Sequence, residues 1–437
     1  MANPFLPLWE YIPDGEPRVF GDRVYIYGSH DRASSDMFCD YKLKVWSAPV
    51  DDLEHWVCHG VSFRTRDGDA GIADTDWTDK ELYAPDVVER DGRYYLYAYI
   101  LNSKGCVGVS DHPEGPFSLL SRYVYDEADA GDDGIFNDAG VLVDDDGRAY
   151  IYYGFERSHF GELEADMYTI KKGSYKADMI PCGTQPNDFF EASSPRRING
   201  RYYLIYSNRT GRELCYAVSE SPTGPFERKG TIISNGIDYP GGNDHGSLCC
   251  IKGQWYIFYH RMTNGTIMSR RACAERVEIL PDGTIPQVEM TSLGFADSLD
   301  PYAITSADIA CVLKGGCFVT EKDTFTRTVT NIRKGSVIGY KYFDFGKDFS
   351  GSEMTFAVRI TGSGCRGEIH IRIDSEDGEE IGVCFTDTQD GVYKASVKNV
   401  VGRHSIYLAI EHAYHEWSAQ MFDGRNIFDL HEFVFMK

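Results

Sequence analysis

Five ionisable residues stand at a recurring place in this 437-residue chain. Asp14 lies eight residues before Asp22, Asp86 six before Gly92, Asp138 nine before Gly147, Glu191 nine before Gly200 and His245 eight before Gly253. Four of the five are acids. Carboxylates brought together hold protons on one another, because like charges disfavour ionisation. One carboxyl kept protonated beside another that stays ionised is the pair that hydrolysis of a glycosidic bond requires.

The elements that must position these residues repeat. Residues 16–31, 85–99, 139–154, 194–207 and 246–260 each read as a short strand, a Gly-Asp, Asp-Gly, Asn-Gly or Lys-Gly turn, and an aromatic strand. Asp-Gly and Asn-Gly tolerate positive φ and are strong hairpin signals. The last four turns are about 53–55 residues apart, room for four strands and their loops. A second element, "GVSDHPEGPF" (108–117) and "AVSESPTGPF" (217–226), follows two of the hairpins at matching distance. The pattern predicts an all-β chain: a five-bladed β-propeller over residues 1–295, with the five residues at one end of its channel. Strands of the last blade are expected from the N-terminus or from 275–292. Residues 296–317 read as a connector, and 318–437 as a β-sandwich of jelly-roll type with short alternating strands and Gly-rich turns.

Composition narrows the partners. The net charge is −23, which repels nucleic acid and anionic membrane and leaves neutral ligands compatible. No stretch of about 18 apolar residues could span a bilayer. The opening "MANPFLPLWEY" has neither a basic start nor a long apolar run, so no signal peptide is visible and a cytoplasmic location is expected. The 12 cysteines are scattered without CxxC spacing and read as mostly buried, reduced thiols. Cys249 and Cys250 fall in one predicted strand and should face opposite ways.

With these motifs in view, residues 3–294 resemble glycoside hydrolase family 43. "NPFLPLWEYIPDGEPRVFGDRVYIYGSHD" matches its opening pattern, "APDV" (84–87) its second, "FFEASSPRRING" its third and "DHGS" (244–247) its fourth. The resemblance implies a general base at Asp14, a general acid at Glu191, and Asp86 as the residue that tunes and orients the acid. The family's Asp-Pro is broken here into "DGEP", so Asp14 or Glu16 could match the base. Counting back from Gly21 favours Asp14, and Glu16 then becomes a candidate for binding substrate. His245 would stand near the axis, where the family often holds calcium or a water cluster. A His contact implies an ion held mostly by waters.

Further substrate contacts are expected from Trp77, Asp138, Phe190 and Arg261, while Arg209 and Arg212 read as solvated. No organic cofactor is implied. The resemblance implies an inverting, exo-acting hydrolase of short oligosaccharides, an α-L-arabinofuranosidase or β-xylosidase. A β-galactofuranosidase or exo-β-galactanase is the alternative, and a sugar-binding propeller without chemistry is the alternative from another class. The C-terminal segment resembles family 6 carbohydrate-binding modules through its closing "FDLHEF" (428–433), and Asp429 or Glu321 could contribute to a structural calcium there. The oligomeric state is not legible.

Overall fold

The structure is a computed structural model and describes residues 2–66, 72–129, 136–180, 188–347 and 351–437. Among the described residues, five antiparallel sheets follow one another along the first two-thirds of the chain. Four have four strands and the last has three. Their first strands are Glu16–Phe20, Leu82–Arg90, Gly140–Val143, Phe189–Ile198 and Ser247–Ile251. The turns fall where the sequence places them. Both central residues of Asp91-Gly92, Asn199-Gly200 and Lys252-Gly253 have positive φ, the backbone that matches the twist of a hairpin.

The sheets form a closed ring. One apolar cluster joins the first and second sheets through Tyr27, Leu43, Val87 and Leu96. A second joins the second and third through Tyr97 and Ile151, and a third joins the third and fourth through Tyr150 and Leu204. Leu248 and Tyr259 pack with Ile205 and Tyr216 between the fourth and fifth. Phe258 and Ile251 pack with Ile26 and Trp46 between the fifth and the first. The N-terminal segment locks the ring: Phe5 N–H donates to Ala272 O, and the Asn3 side chain pairs with both backbone groups of Ala274 at 2.8 and 2.9 Å. The arrangement is the propeller expected from the repeat.

The C-terminal sandwich packs a six-stranded sheet on a five-stranded one. Its strands Glu353–Gly362, Gly367–Ile373, Gly391–Lys398, Arg403–His412 and Phe428–Met436 match the alternating segments seen in the sequence. Tyr340, Phe343, Phe356, Phe433 and Phe435 fill its core. The sandwich begins earlier than the sequence suggests, because inside the expected connector Thr305–Ser306 already pairs with Phe428–Met436 and Val312–Lys314 with Val337–Asp344. Its hairpin of Phe318–Asp323 and Thr326–Thr330 docks on the propeller. There Arg327 donates to Leu8 O at 2.5 Å and Glu321 accepts from Tyr11 Oη at 2.6 Å.

The eleven described cysteines are all free, and most are buried. Cys249 is buried and Cys250 is half-buried, as alternation along a strand requires. No described helix is long and apolar enough to cross a membrane.

Candidate active site

A pocket of about 480 Å³ opens at one end of the ring. Asp14, Asp138, Glu191, His245 and Arg270 provide its charged and titratable groups, with Asn137 and Asn243 beside them. Phe38, Tyr83, Tyr99, Leu101, Phe155, Phe190 and Ile267 provide its apolar wall.

The backbone is bent to aim these groups. Asp14 and Asp138 have φ of 57° and 47°, a left-handed conformation that non-glycine residues adopt at a cost, and one common at functional sites. In the strand bearing Glu191 the register slips on both sides of that residue, between Phe189 and Glu191 and between Glu191 and Ser194. Regular pleating would send Phe190 and Glu191 to opposite faces, whereas the irregular stretch lets both line the pocket. Phe189 instead joins the core against Tyr206.

The carboxyl groups differ sharply in their partners. Asp14 accepts from Ser29 Oγ at 2.6 Å and from Arg270 Nη1 at 2.8 Å. Burial raises its proton affinity, but Arg270 first, then His245 and the Ser29 hydrogen bond, bring its pKa below the usual aspartate value. Arg270 is itself gripped by Asp31, through Nε at 2.8 Å and Nη2 at 2.9 Å. His260 is pushed down to about 3 by burial and by Arg270, so it is neutral. Its Nδ1 accepts from Asp14 N–H at 3.3 Å, and its Nε2–H donates to Asn243 O at 2.9 Å, which fixes the tautomer.

Glu191 is half-buried and has no comparable ion pair among the described residues, and burial plus the charge of Asp14 push it up to about 7 despite Arg270. Asp138 also rises to about 7, first through burial and then through the charge of Glu191. His245 stands 3.9 Å from Asp14 and 3.7 Å from Asp138 through Nδ1. The site thus holds one firmly ionised carboxylate and two that keep protons near neutrality.

The remaining sequence expectations separate. Asp138 and Phe190 line the pocket as expected. Asp86 and Glu16 do not, because they lie deeper along the axis in a buried ionic cluster. Arg18 grips Asp86 through Nε and Nη2 at 2.7–3.0 Å, and Val141 N–H adds a bond at 2.7 Å. Glu16 accepts from Arg196 Nη2 at 2.5 Å and from Ser194 Oγ at 3.2 Å. Of the two candidates in "DGEP", Asp14 is therefore the one that reaches the pocket.

Trp77 donates Nε1–H to Ser103 at 2.9 Å beneath Arg122 and borders a separate depression. Arg261 is buried near the domain junction, bound to Tyr259 Oη, Glu275 and Thr291 O. The pocket arginine is Arg270, whose strand Thr266–Val277 pairs with that of Arg261. Arg209 is not simply solvated, since it pairs with Asp188 at 2.9 Å and Glu156 at 3.2 Å.

An ion held mainly by protein side chains does not fit the donors present. Among the described residues, no three His, Cys, Asp or Glu side chains are grouped to hold an ion. Asp14 is already occupied by Arg270 and Ser29. In the sandwich, Asp429 accepts from Lys322, Thr330 and Asn426, and Glu321 from Tyr11 with Arg327 beside it.

Comparison with known proteins matches both parts of the chain. The model of Glycosyl hydrolases family 43 matches residues 2–285, and that of Carbohydrate binding module (family 6) matches 314–435. A "Xylosidase/arabinosidase" of Thermoclostridium stercorarium is 37% identical over 93% of this chain and 95% of its own. A Bacillus subtilis family 43 arabinoxylan arabinofuranohydrolase, solved with cellotetraose, shares the fold over 100% of this chain and 97% of its own, with a TM-score of 0.54 and 23% identity. CoXyl43, a β-xylosidase/α-arabinofuranosidase from a compost microbial metagenome solved with xylotriose, is 26% identical with a TM-score of 0.54, over 66% of this chain and 98% of its own. The chain belongs to glycosyl hydrolases family 43.

Proposed function

We propose that the protein is an inverting, exo-acting glycoside hydrolase that releases terminal α-L-arabinofuranosyl or β-xylosyl residues from oligosaccharides, with Glu191 as general acid and Asp14 as general base. The observation that carries this reading is the opposite proton affinity of two carboxyls in one pocket: Asp14 is held low, and Glu191 is pushed up to about 7. Glu191 carries the proton that the leaving oxygen needs. Asp14, oriented through both of its oxygens by Ser29 and Arg270, takes a proton from water on the opposite face of the sugar. Asp138 replaces Asp86 as the carboxyl beside the acid. When Glu191 ionises, the proton on Asp138 is held more tightly, and the two titrate as a pair. The names of the relatives, arabinosidase, xylosidase and arabinofuranohydrolase, support the substrate class.

The test is release of nitrophenol from α-L-arabinofuranoside, β-D-xyloside and β-D-galactofuranoside, with proton NMR of the first anomer formed from an oligosaccharide. Inversion at the anomeric carbon is expected. A retained configuration would overturn the base assignment. Sugar binding without release from any substrate would favour the non-catalytic propeller.

A further inference from the structure

The pocket wall is not uniform. Among the exposed large hydrophobic residues of the described chain, two line it: Phe155, 53% exposed, and Ile267, 42% exposed. A single exposed apolar side chain on a surface is ordinary. Phe155 is different because the chain holds it in place. Its ring packs on Phe190 with centroids 4.9 Å apart and planes tilted by 55°. Gly154 before it has φ +138°, and a Cβ there would lie 1.9 Å from Arg157 O, so only glycine makes this turn.

Glu156 after it donates its N–H to Phe190 O at 2.6 Å. Arg209 then ties Glu156 to Asp188, one residue before Phe189, through bonds of 3.2 and 2.9 Å. Arg157 is fixed to Asp178 at 2.8–2.9 Å. Hydrogen bonds and ion pairs on both flanks thus hold an exposed ring in a fixed pose.

Its location gives the ring a side. Phe155 and Phe190 come from the third and fourth sheets, with Asp138 and Glu191. Asp14 and Arg270 come from the first and fifth. Inversion places the attacking water by the base and the departing oxygen by the acid. Resting on the functional reading above, we propose that Phe155, braced on Phe190, is the platform for the leaving group: it stacks on the C–H face of the departing sugar, whose oxygen Glu191 protonates as its bond to the anomeric carbon breaks, and so selects for oligosaccharide over small-alcohol leaving groups. An aromatic face suits a neutral sugar ring, which offers C–H groups to the ring and hydroxyls to water.

The experiment compares kcat/KM of wild type, F155A and F155W on substrates that release the same sugar from different leaving groups. Xylobiose is paired with β-D-xylopyranosyl fluoride, and arabinofuranosyl-xylobiose with α-L-arabinofuranosyl fluoride, since fluoride is a single atom with nothing to stack. F155A is expected to lose about tenfold on the disaccharide and trisaccharide, and to stay within about twofold of wild type on the fluorides. F155W keeps a ring and is expected to stay near wild type on both. An equal loss on both members of a pair, or no loss on the sugar leaving group, would overturn the proposal. Wild type inactive on all four substrates would instead overturn the hydrolase reading.

Discussion

The same five strands and the residues leading into them carry two layers around the axis, and the layers behave in opposite ways. Eight or nine residues before the second turn residue stand Asp14, Tyr83, Asp138, Glu191 and His245, all of which line the pocket. Six residues before it stand Glu16, Asp86, Val141, Ser194 and Ser247, which form the axial cluster. In that layer each charge has a partner. Arg18 binds Asp86 and Val141 O, while Arg196 binds Glu16 and Leu248 O. Ser194 bonds Ser247 at 2.6 Å. All five inner strands are tied by two acids and two arginines.

Glu16 is accordingly held below the usual glutamate value, since its arginines outweigh burial. In the pocket layer one arginine among the described residues, Arg270, faces three carboxyls, and two of them rise to about 7. Partner count separates the roles: a paired carboxylate fastens the ring, and an underpaired one keeps a proton to give away.

Substitutions in the two layers should separate activity from stability. The largest effect is expected from E191Q and D14N, each lowering kcat on oligosaccharides by about 10²–10⁴ with the fold intact, as steady-state rates and thermal melts together report. A fall in melting temperature matching the loss of rate would break the distinction.

Next comes the axial layer. R18M leaves Asp86 buried without its fork and should cost about 3–5 kcal/mol of stability, read from denaturant unfolding, while the folded fraction retains its kcat. Third, D138N removes the carboxyl that shares its titration with Glu191, while the burial and the Asp14 charge that push Glu191 up to about 7 remain. The basic limb of kcat/KM should stay near pH 7 and follow the single ionisation of Glu191. D86N should leave that limb in place.

The smallest expected effect is on stability. Glu191 has a folded pKa raised above its unfolded value, so its stabilising contribution is present below about pH 4.5 and is lost as pH rises through about 7. E191Q should therefore be more stable than wild type at pH 8, by about 1–2 kcal/mol, with the advantage vanishing at pH 4. Equal melting curves at both pH values would show that Glu191 is not perturbed.

Much of this was legible because turns are local. Asp-Gly and Asn-Gly mark hairpins by their own backbone preference, and counting back from them found four of the five inward positions. The count failed at Asp86 because its offset is six where the others are eight or nine. The residue at the matching place is Tyr83, which has no charge to attract notice. Arg270 was missed for a different reason. Its pocket role depends on Asp31 from the first sheet, a contact 239 residues away in sequence. Arg261, one strand over, has the same residue type and faces the sandwich instead. Phe155 gave no signal, since an exposed aromatic acquires meaning only when its neighbours are known. The sandwich strands were readable from alternation. Their first members, Thr305–Ser306 and Val312–Lys314, were not, because two or three residues are too few to show a period.

The central claim is that Glu191 supplies the catalytic proton because its pocket keeps it protonated near neutrality. The most direct measurement is the pH dependence of kcat/KM for wild type and E191Q on an aryl glycoside whose leaving group gains from protonation yet departs well enough for E191Q to keep a measurable rate. Wild type should show a basic limb near pH 7, and E191Q should lose that limb while keeping the acidic one set by Asp14. A basic limb that survives unchanged in E191Q would contradict the account.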